Sequence, residues 1–332
     1  MKKRIVAVRR LHAEHLKQLE GKFHVDYFPH LDDDNLDEYH AAVARAHGLI
    51  GGKLSVTPAL LDAAPHLEVV ATISVGYDNF PVDDMSRRGI VLCNTPDVLT
   101  ETTADTGFAL IMATARRVPE LDRFVREGQW QAHVDEAQFG RDVHGKTLGM
   151  VGMGRIGAAV ARRGALGFGM PVIYSNASPK PVLDAELGAR CCSFEELLAC
   201  ADIVCVTVPL TDSTRHLIGA DAFRQMKRSA IFVNIARGPV VDEAAMITAL
   251  QEGEIAGAGL DVFEQEPLPA TSPLLALPQV VLLPHIGSAT HETRAAMAQL
   301  AVDNIVLALQ GQAPPNGVNF EALAMTPARE QP

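Results

Sequence analysis

Three charged or ionisable residues follow apolar runs of the kind that form buried strands: Arg237, Glu266 and His285. Hydride transfer to a ketone needs a proton donor for the developing alkoxide, and histidine titrates near neutral pH. A carboxylate beside an imidazole favours its protonated form and fixes its tautomer. A guanidinium can bind a carboxylate through two hydrogen bonds and polarise the adjacent carbonyl group. Arginine, glutamate and histidine are therefore a sufficient set for the reduction of a 2-oxo acid.

Each of these residues also has a purely structural explanation. His285 could bond a backbone group at the edge of the core, Arg237 could be a surface charge, and Glu266 could be a solvated loop residue. Asp261, which ends the run A-G-A-G-L, could simply form a turn. Ligands of open α/β sheets bind at the carboxyl ends of the strands, so the placement of these residues at such ends favours a shared site. The chain contains no G-x-S-x-G and no H-E-x-x-H, which disfavours a serine hydrolase and a zinc protease.

A glycine-rich turn precedes these residues in the chain. The stretch T-L-G-M-V-G-M-G-R-I-G-A-A contains G-x-G-x-x-G at Gly152, Gly154 and Gly157, between an apolar strand and an alanine-rich helix, as a dinucleotide-binding motif requires. The first glycine permits the tight turn, the second lets the backbone approach the pyrophosphate, and the third lets the helix pack on the sheet. The amides of Arg155 and Ile156 then face the phosphates from the helix N-terminus. The alternative is a glycine-rich turn that binds no ligand.

The strand after the glycine motif should end at the residue that binds the adenosine ribose. NAD sites usually have Asp or Glu there, about 20 residues after the glycines, whereas the first carboxylate here is Asp184. Ser175, Asn176, Ser178 and Lys180 offer hydroxyls, an amide and an ammonium group instead. These groups suit a 2′-phosphate, so the sequence predicts NADP(H) in preference to NAD(H), with NAD(H) left open as a second cofactor.

Composition limits the class of protein. The chain has 332 residues, enough for two domains at about 150 residues each, and its 48% hydrophobic and 21% charged residues are typical of a globular protein. The formal charge of −11 argues against a nucleic-acid surface. Five cysteines without a C-x-x-C motif suggest neither a disulfide framework nor a zinc site, and we expect no metal. The basic N-terminus has no signal-peptide pattern and no apolar run is long enough to span a bilayer, so we expect a cytoplasmic protein that binds no membrane.

Short apolar runs alternate with helical patterns along nearly the whole chain, which indicates α/β architecture with parallel strands. The predicted strands are 5–8, 49–50, 69–71, 90–92, 148–152, 171–174, 203–208, 231–235, 257–260 and 280–283. The predicted helices include 11–20, 36–46 and a long one at 101–117, after which Pro119 breaks the helix or starts a second one. Ser193 with Glu196 forms the pattern of a capping box, and Asp242 is the expected cap of a later helix.

Five motifs, spread over almost the full chain, resemble those of the D-isomer-specific 2-hydroxyacid dehydrogenases. They are V-G-Y-D-N (75–79), N-T-P-D (94–97), N-I-A-R-G-P-V-V-D (234–242), G-L-D-V-F-E-Q-E-P (259–267) and P-H-I-G-S-A-T-H-E-T-R (284–294). Within that family, V-F-E-Q-E-P-L and H-I-G-S-A-T-H-E-T-R are similar to the bacterial glyoxylate/hydroxypyruvate reductases, which are also called 2-ketogluconate reductases.

The resemblance implies a role for each of the chemical residues. Arg237 matches the substrate-binding arginine, His285 the proton donor, and Glu266 the acid paired with it, because the family's glutamate immediately precedes proline and Glu264 does not. Asp261 matches the residue that holds the nicotinamide carboxamide. The resemblance also implies that the backbone amides of Val75 and Gly76 bind the substrate carboxylate and that Ser288 is a further substrate contact. Residues expected to line the cofactor are Thr103, Arg155, Ile156, Val208, Pro209, Ile235, Ala236 and Gly287.

The resemblance also implies the architecture. A Rossmann-type doubly wound parallel sheet domain, 99–289, is expected to be inserted into a flavodoxin-like α/β domain formed by 1–98 and 290–332. The helix 101–117 and the arm that contains Trp130 resemble the family's dimer interface, so we expect a homodimer, although Trp130 could equally anchor a core. The arm 131–142 has fewer aromatic residues than related hydroxypyruvate reductases have.

The expected activity is NADPH-dependent reduction of glyoxylate, hydroxypyruvate or 2-ketogluconate to the D-2-hydroxy acid. Two alternatives stay open: a phosphoglycerate dehydrogenase-like activity, and a non-enzymatic protein that binds dinucleotides as a sensor on the same fold. The sequence does not rank the three substrates. Lys53 could face the substrate or could be a solvated loop charge.

Overall fold

The computed structural model describes residues 2–324 and divides the chain into two compact units. One unit is Met1–Leu99 with Ala289–Pro332, and the other is Thr100–Ser288. Residues 325–332, at the end of the predicted substrate domain, lie outside the described residues. The chain thus leaves the first unit after Leu99 and returns to it at Ala289.

The first unit is built on a five-stranded parallel sheet with the strand order β2-β1-β3-β4-β5. Its strands are β1 Arg4–Val8, β2 His24–Phe28, β3 Gly48–Gly51, β4 Val69–Thr72 and β5 Val91–Cys93. Its helices are α1 Ala13–Glu20, α2 Leu36–Val43, α3 Pro58–Asp62 and α4 Val82–Arg87, followed after the second unit by α12 His291–Leu309 and α13 Phe320–Ala324. The inner strands β3 and β4 are buried along their whole length, as expected for a parallel sheet with both faces covered.

The second unit is built on a seven-stranded parallel sheet with the order β12-β11-β10-β9-β6-β7-β8. Its strands are β6 Leu148–Val151, β7 Val172–Ser175, β8 Arg190–Cys191, β9 Ile203–Val206, β10 Ile231–Asn234, β11 Gly257–Leu260 and β12 Val280–Leu282. Its helices are α5 Thr100–Ala115, α6 Val118–Arg126, α7 Arg155–Arg162, α8 Pro181–Leu187, α9 Phe194–Cys200, α10 Ala220–Gln225 and α11 Glu243–Gln251. The chain order runs outward from β6 in both directions, so β6 and β9 flank the topological switch point where such sheets bind ligands.

Helix α5 packs closely on this sheet where a glycine on one side of the contact leaves room for a larger side chain on the other. A Cβ atom at Gly107 of α5 would lie 2.7 Å from Cδ1 of Ile235, and one at Gly259 of β11 would lie 2.8 Å from Oγ1 of Thr114. Close packing of this kind fixes the position of α5 against the strands whose ends carry the candidate site.

The predicted α/β architecture is confirmed, and each predicted strand is present with ends that differ by at most two residues. The helix predicted at 36–46 ends earlier, at Val43. Strands β2 and β8 were not predicted, since most residues of β2 are only partly buried and β8 has only two residues. Asp242 caps α11 as predicted, through a bond from the Ala245 amide.

The capping-box prediction at Ser193 is only half right. Oγ of Ser193 accepts a hydrogen bond from the Glu196 amide at 3.1 Å. The Glu196 carboxylate does not make the return bond among the contacts described for this helix; it lies 2.7 Å from Nη1 of Arg190. An ion pair with a nearby guanidinium has replaced the second half of the box.

The length and polarity of the helices bear on whether any of them could span a membrane. Within residues 2–324, no helix is both long enough and apolar enough to cross a membrane.

Candidate active site

His285 and Glu266 are in direct contact beyond the end of β12. The strand ends at Leu282 and Pro284 follows it. The His285 amide bonds back to the Leu283 carbonyl at 3.0 Å, and His285 adopts a left-handed backbone with φ of +56°. Nδ1 of His285 lies 2.7 Å from Oε2 of Glu266, and the other carboxylate oxygen accepts a hydrogen bond from the Phe263 amide at 3.1 Å. The imidazole remains about half exposed, at 48%. The tight turn thus presents the ring to solvent while one of its nitrogens is held.

The electrostatics of this pair favour an ionised glutamate. Burial alone would raise the pKa of Glu266, but the hydrogen bond and charge of His285 outweigh it, and the Phe263 amide and the charge of Arg237 add to them. The net effect is a pKa of Glu266 below its ordinary value. An ionised carboxylate can only accept, so Nδ1 carries the hydrogen of this contact. Nε2 is therefore the ring nitrogen that can hold or release a proton toward a ligand.

Arg237 stands at the end of β10 in a turn that a buried asparagine shapes. Asn234 is 1% exposed, and its side-chain oxygen accepts a hydrogen bond from the Ala236 amide at 3.0 Å while its amide group donates to the Arg237 carbonyl at 3.0 Å. The Arg237 guanidinium donates to the Ala236 carbonyl at 2.8 Å. Sequence reasoning did not single out Asn234, although a polar residue at the end of the buried run I-F-V-N is a signal that could have found it.

Gly238 lets the Arg237 turn touch the loop that carries Glu266. A Cβ atom at Gly238 would lie 1.8 Å from the carbonyl carbon of Phe263 and 2.3 Å from the Glu264 nitrogen. Only glycine permits this approach. Sequence reasoning also missed this residue, because nothing in the sequence shows which backbone lies opposite.

Asp261 holds the turn that follows His285. Its two carboxylate oxygens accept hydrogen bonds from the Ile286 amide at 2.7 Å and the Gly287 amide at 2.8 Å. The side chain is 2% exposed, and burial raises the pKa of Asp261 although the two amide bonds oppose the shift. A Cβ atom at Gly287 would lie 3.1 Å from Oδ2 of Asp261 and 3.2 Å from Cγ2 of Thr103. Asp261, Gly287 and Thr103 are thus brought together, and the first two position His285.

The glycine motif forms an open cradle at the N-terminus of α7. Gly152 has φ of +95°, and a Cβ atom at Gly157 would lie 2.4 Å from the Gly152 carbonyl oxygen. A Cβ atom at Gly154, the N-cap residue, would meet no described atom within 4 Å. The turn is thus tight, α7 packs close to it, and the space in front of the helix N-terminus is free. The backbone amides of Arg155 and Ile156 at this N-terminus therefore fit a diphosphate.

The segment after β7 is organised by Asn176. Its side-chain oxygen accepts a hydrogen bond from the Met153 amide at 3.1 Å, and its amide group donates to the Ser178 carbonyl at 2.8 Å. The Lys180 amide donates to the Tyr174 hydroxyl at 2.6 Å. The Asn176 side chain therefore ties this segment to the glycine turn, while Ser175, Ser178 and Lys180 lie in the same segment at and beyond the end of the strand.

The remaining predicted cofactor residues line the ends of β9 and β10. Val208 lies against the glycine turn, since a Cβ atom at Gly152 would lie 2.8 Å from its Cγ1 atom. Thr207, which was not among the predicted cofactor residues, donates from its hydroxyl to the Gly152 carbonyl at 2.8 Å. Pro209 follows, with its carbonyl held by Thr214 at 2.7 Å. Ile235 and Ala236 are buried after β10, and Ser288 ends the unit half-buried.

In the first unit, the carbonyl groups of the loop after β4 are bonded within the chain. The carbonyl of Ser74 accepts from the Thr95 amide at 2.9 Å, that of Val75 from the Asn94 side chain at 2.8 Å, and that of Gly76 from the Ser74 hydroxyl at 2.7 Å. Among the described residues, none accepts a hydrogen bond from the Val75 or Gly76 amide. These two amides can therefore bind an external anion.

Comparisons with known proteins agree with this chemistry. Residues 108–287 match the family model described as D-isomer specific 2-hydroxyacid dehydrogenase, NAD binding domain. The chain is 52% identical over 323 residues to glyoxylate/hydroxypyruvate reductase B of Yersinia enterocolitica, covering 97% of this chain and 99% of that protein. Both units of the chain are thus shared with that relative.

Two solved structures have the same fold. The TT0316 protein from Thermus thermophilus superposes with a TM-score of 0.87 at 43% identity, over 95% of this chain and 99% of that one. The NADPH-dependent glyoxylate/hydroxypyruvate reductase of Sinorhizobium meliloti, in complex with NADP and malonate, superposes with a TM-score of 0.83 at 34% identity over 100% of both chains. The chain belongs to the D-isomer specific 2-hydroxyacid dehydrogenase family.

Proposed function

We propose that the chain is an NADPH-dependent reductase that converts glyoxylate, hydroxypyruvate and 2-ketogluconate to the D-2-hydroxy acids. The contact of 2.7 Å between His285 and Glu266 carries this proposal, because it creates a proton donor at the end of a dinucleotide-binding sheet. The relative from Yersinia enterocolitica, named glyoxylate/hydroxypyruvate reductase B, supports the first two substrates. 2-Ketogluconate rests on the motif resemblance alone.

The side chains divide the work of reduction among them. A bound nicotinamide dinucleotide supplies the hydride. Arg237 binds the carboxylate of the 2-oxo acid and draws electron density from the adjacent carbonyl. As that carbonyl oxygen becomes an alkoxide, Nε2 of His285 donates its proton to it, and the ring returns to the neutral form with Nδ1–H still on Glu266. Glu266 accepts the Nδ1 hydrogen and holds the orientation of the ring throughout.

We assign the dinucleotide to one of the two units. The unit Thr100–Ser288 would bind the dinucleotide, which is supported by the open glycine cradle and by the match to an NAD binding domain over 108–287. The unit formed by Met1–Leu99 and Ala289–Pro332 would contribute the unbonded amides of Val75 and Gly76, which would bind the carboxylate of the acid. Ser288, the last residue of the dinucleotide-binding unit, is proposed as a further substrate contact. The residues proposed to line the dinucleotide are Thr103, Gly152, Gly154, Arg155, Ile156, Gly157, Val208, Pro209, Ile235, Ala236, Asp261 and Gly287.

NADP(H) is the proposed cofactor in preference to NAD(H). No carboxylate lies between Ser175 and Lys180, so nothing in this segment repels a 2′-phosphate. The hydroxyls of Ser175 and Ser178 and the ammonium of Lys180 can bind one. The Sinorhizobium meliloti relative was solved with NADP, which supports the same choice.

We also propose a homodimer. The resemblance implied an interface on the helix 101–117 and the arm with Trp130, and we now propose it on α6 and residues 127–139, where the exposed apolar side chains of this region lie. Helix α6 has no buried residue, and the surface carries Val118, Val125, Trp130, Val134 and Phe139, all more than half exposed. Trp130 is 62% exposed, so the alternative that it anchors the core of its own chain is wrong. Several large apolar side chains left exposed in one segment of a chain are typical of an interface between subunits.

The free thiols support a reducing compartment. All five cysteines are unpaired, and Cys93 and Cys205 are buried. We therefore propose the cytoplasm as the location of the enzyme.

A substrate panel tests the proposed function. Purified protein is mixed with NADPH and, separately, with glyoxylate, hydroxypyruvate, 2-ketogluconate and 3-phosphohydroxypyruvate, and NADPH oxidation is followed. We expect turnover of the first three and the D-isomer as product. Turnover of the phosphorylated acid alone would favour a phosphoglycerate dehydrogenase-like enzyme, and NADPH binding without turnover of any acid would favour a dinucleotide sensor.

A further inference from the structure

The backbone at the end of β1 and the glycine opposite it determine where the Arg10 side chain lies. Arg9 and Arg10 both have left-handed backbones, with φ of +52° and +56°. Such a conformation is unfavourable for residues with side chains, and two in succession occur only where the surroundings impose them. A Cβ atom at Gly52 would lie 2.3 Å from Cδ and 2.8 Å from Nε of Arg10. The absence of a side chain at Gly52 therefore lets the Arg10 side chain pass over the end of β3.

The guanidinium of Arg10 lies beside the loop proposed to bind the substrate carboxylate. Its Nη1 atom is 3.4 Å from the carbonyl oxygen of Ile73, the first residue after β4. Strands β1, β3 and β4 are parallel neighbours, so their carboxyl ends share one edge of the sheet. Ile73 precedes Val75, the first of the two unbonded amides, by two residues, a span of at most about 7 Å of chain.

This guanidinium is in a cationic environment. Burial and the positive charges of Arg294 and Arg9 lower the pKa of Arg10 to about 10. Among the ion pairs of residues 2–324, no carboxylate lies within salt-bridge distance of Arg10. A partly buried cation beside other cations is costly unless a ligand supplies acceptor oxygens. Groups kept in such an environment are candidates for ligand binding.

We propose that Arg10 determines substrate specificity by binding the oxygen substituents that a 2-oxo acid carries beyond its oxo carbon. This inference rests on the proposed function and deepens it. Hydroxypyruvate has one such oxygen and 2-ketogluconate has several, whereas glyoxylate has none. Arg10 thus favours hydroxylated acids, while the Val75 and Gly76 amides bind the carboxylate that all three substrates share.

The test compares kcat/KM for the three acids in the wild type, Arg10→Met and Arg10→Lys. Methionine fills the same path without donors, so Arg10→Met should lose about tenfold or more for hydroxypyruvate and 2-ketogluconate, and glyoxylate should change by less than about threefold. Arg10→Lys keeps the charge, so its kcat/KM for hydroxypyruvate and 2-ketogluconate should lie between the values for the wild type and Arg10→Met. Arg9→Met is the matched control, because Arg9 has the same backbone conformation but donates to the Leu31 carbonyl instead. Its substrate ratios should match the wild type.

Two results would overturn the inference. An equal loss for all three acids would mean that Arg10 only supports the Ile73 loop, and unchanged ratios in both Arg10 variants would mean that it contacts no substrate. The affinity for NADPH and the melting temperature of each variant show whether it is folded. If Arg10→Met is not folded, the comparison is made with Arg10→Lys. Wild-type turnover of glyoxylate is a separate test of the proposed function, so the two failures are distinguishable.

Discussion

Nδ1 of His285 lies 2.7 Å from Oε2 of Glu266, while Glu264, two residues earlier, contacts Nε2 of a different histidine, His216, also at 2.7 Å. Two glutamates of one loop thus each contact a different histidine. The amide of Glu264 is in turn held by Glu243 at 3.1 Å. Glu264 therefore fixes the loop, and Glu266 is the carboxylate that acts on His285.

Glu266→Gln should lower kcat by about tenfold or more, because the charged ring loses its counter-ion while the contact keeps its shape. Glu264→Gln is the matched control and should keep kcat within about fivefold. An unchanged kcat in Glu266→Gln, or an equal loss of kcat in both variants, would contradict this assignment.

The same variant tests a pH dependence of stability. The pKa of Glu266 is lowered in the folded protein. Its stabilising contribution is therefore present above the ordinary pKa of glutamate and is lost as the pH falls through the folded-state pKa. The free energy of unfolding in urea should thus fall on acidification in this range more for the wild type than for Glu266→Gln, and parallel curves would argue against the lowered pKa.

Gly238→Ala should destabilise the protein by roughly 1–3 kcal/mol, because the new methyl group would overlap the Phe263 backbone, which must move. The same movement separates Arg237 from the Glu266 loop, so kcat/KM should fall as well. Gly167→Ala is the control, since a Cβ atom there meets nothing within 4 Å. Denaturant unfolding and steady-state kinetics of both variants check the prediction. Equal unfolding midpoints for Gly238→Ala and Gly167→Ala would show that a methyl group can be accommodated beside the Phe263 backbone.

Ser175→Asp should reverse the cofactor preference. Ser175 ends β7, so a carboxylate there would repel a 2′-phosphate and accept a hydrogen bond from a ribose hydroxyl. The ratio of kcat/KM for NADPH to that for NADH should drop by about a hundredfold or more, which is about 3 kcal/mol. A wild type that already prefers NADH would refute the underlying proposal of NADP(H) selectivity.

Val125→Glu should convert the proposed dimer into monomers, because it places a charge in the apolar surface of α6 and the arm. Val182→Glu introduces the same charge at another exposed valine, on α8, and should leave the dimer intact. Sedimentation velocity of both variants distinguishes the cases. A wild type that sediments as a monomer at high concentration would exclude this interface.

The fold could be predicted where burial dominates the sequence pattern. Strands such as β9 and β10 are buried on both faces and read as unbroken apolar runs. The edge strand β2 is different, because H-V-D-Y-F needs only one neighbour and most of its residues are only partly buried. Strand ends were also missed where a glycine decides them: β6 ends at Val151 because Gly152 already turns with φ of +95°.

Within the candidate site, residues with a chemical role could be predicted from the sequence and residues with a purely geometric role could not. Arg237, Glu266 and His285 could be found because their residue types indicate a reaction. Gly238 and Gly52 could not, since their role depends on which backbone or side chain lies opposite. The buried Asn234 was within reach, because a polar group at the end of an apolar strand must find partners.

The most direct test of the central claim is kcat for reduction of hydroxypyruvate by His285→Asn. Asparagine tolerates the left-handed backbone at this position and can still donate to Glu266, but it has no proton to release toward the substrate. We predict a loss of about a hundredfold or more in kcat, with NADPH affinity unchanged. A kcat within about threefold of the wild type would contradict the role of His285 as proton donor.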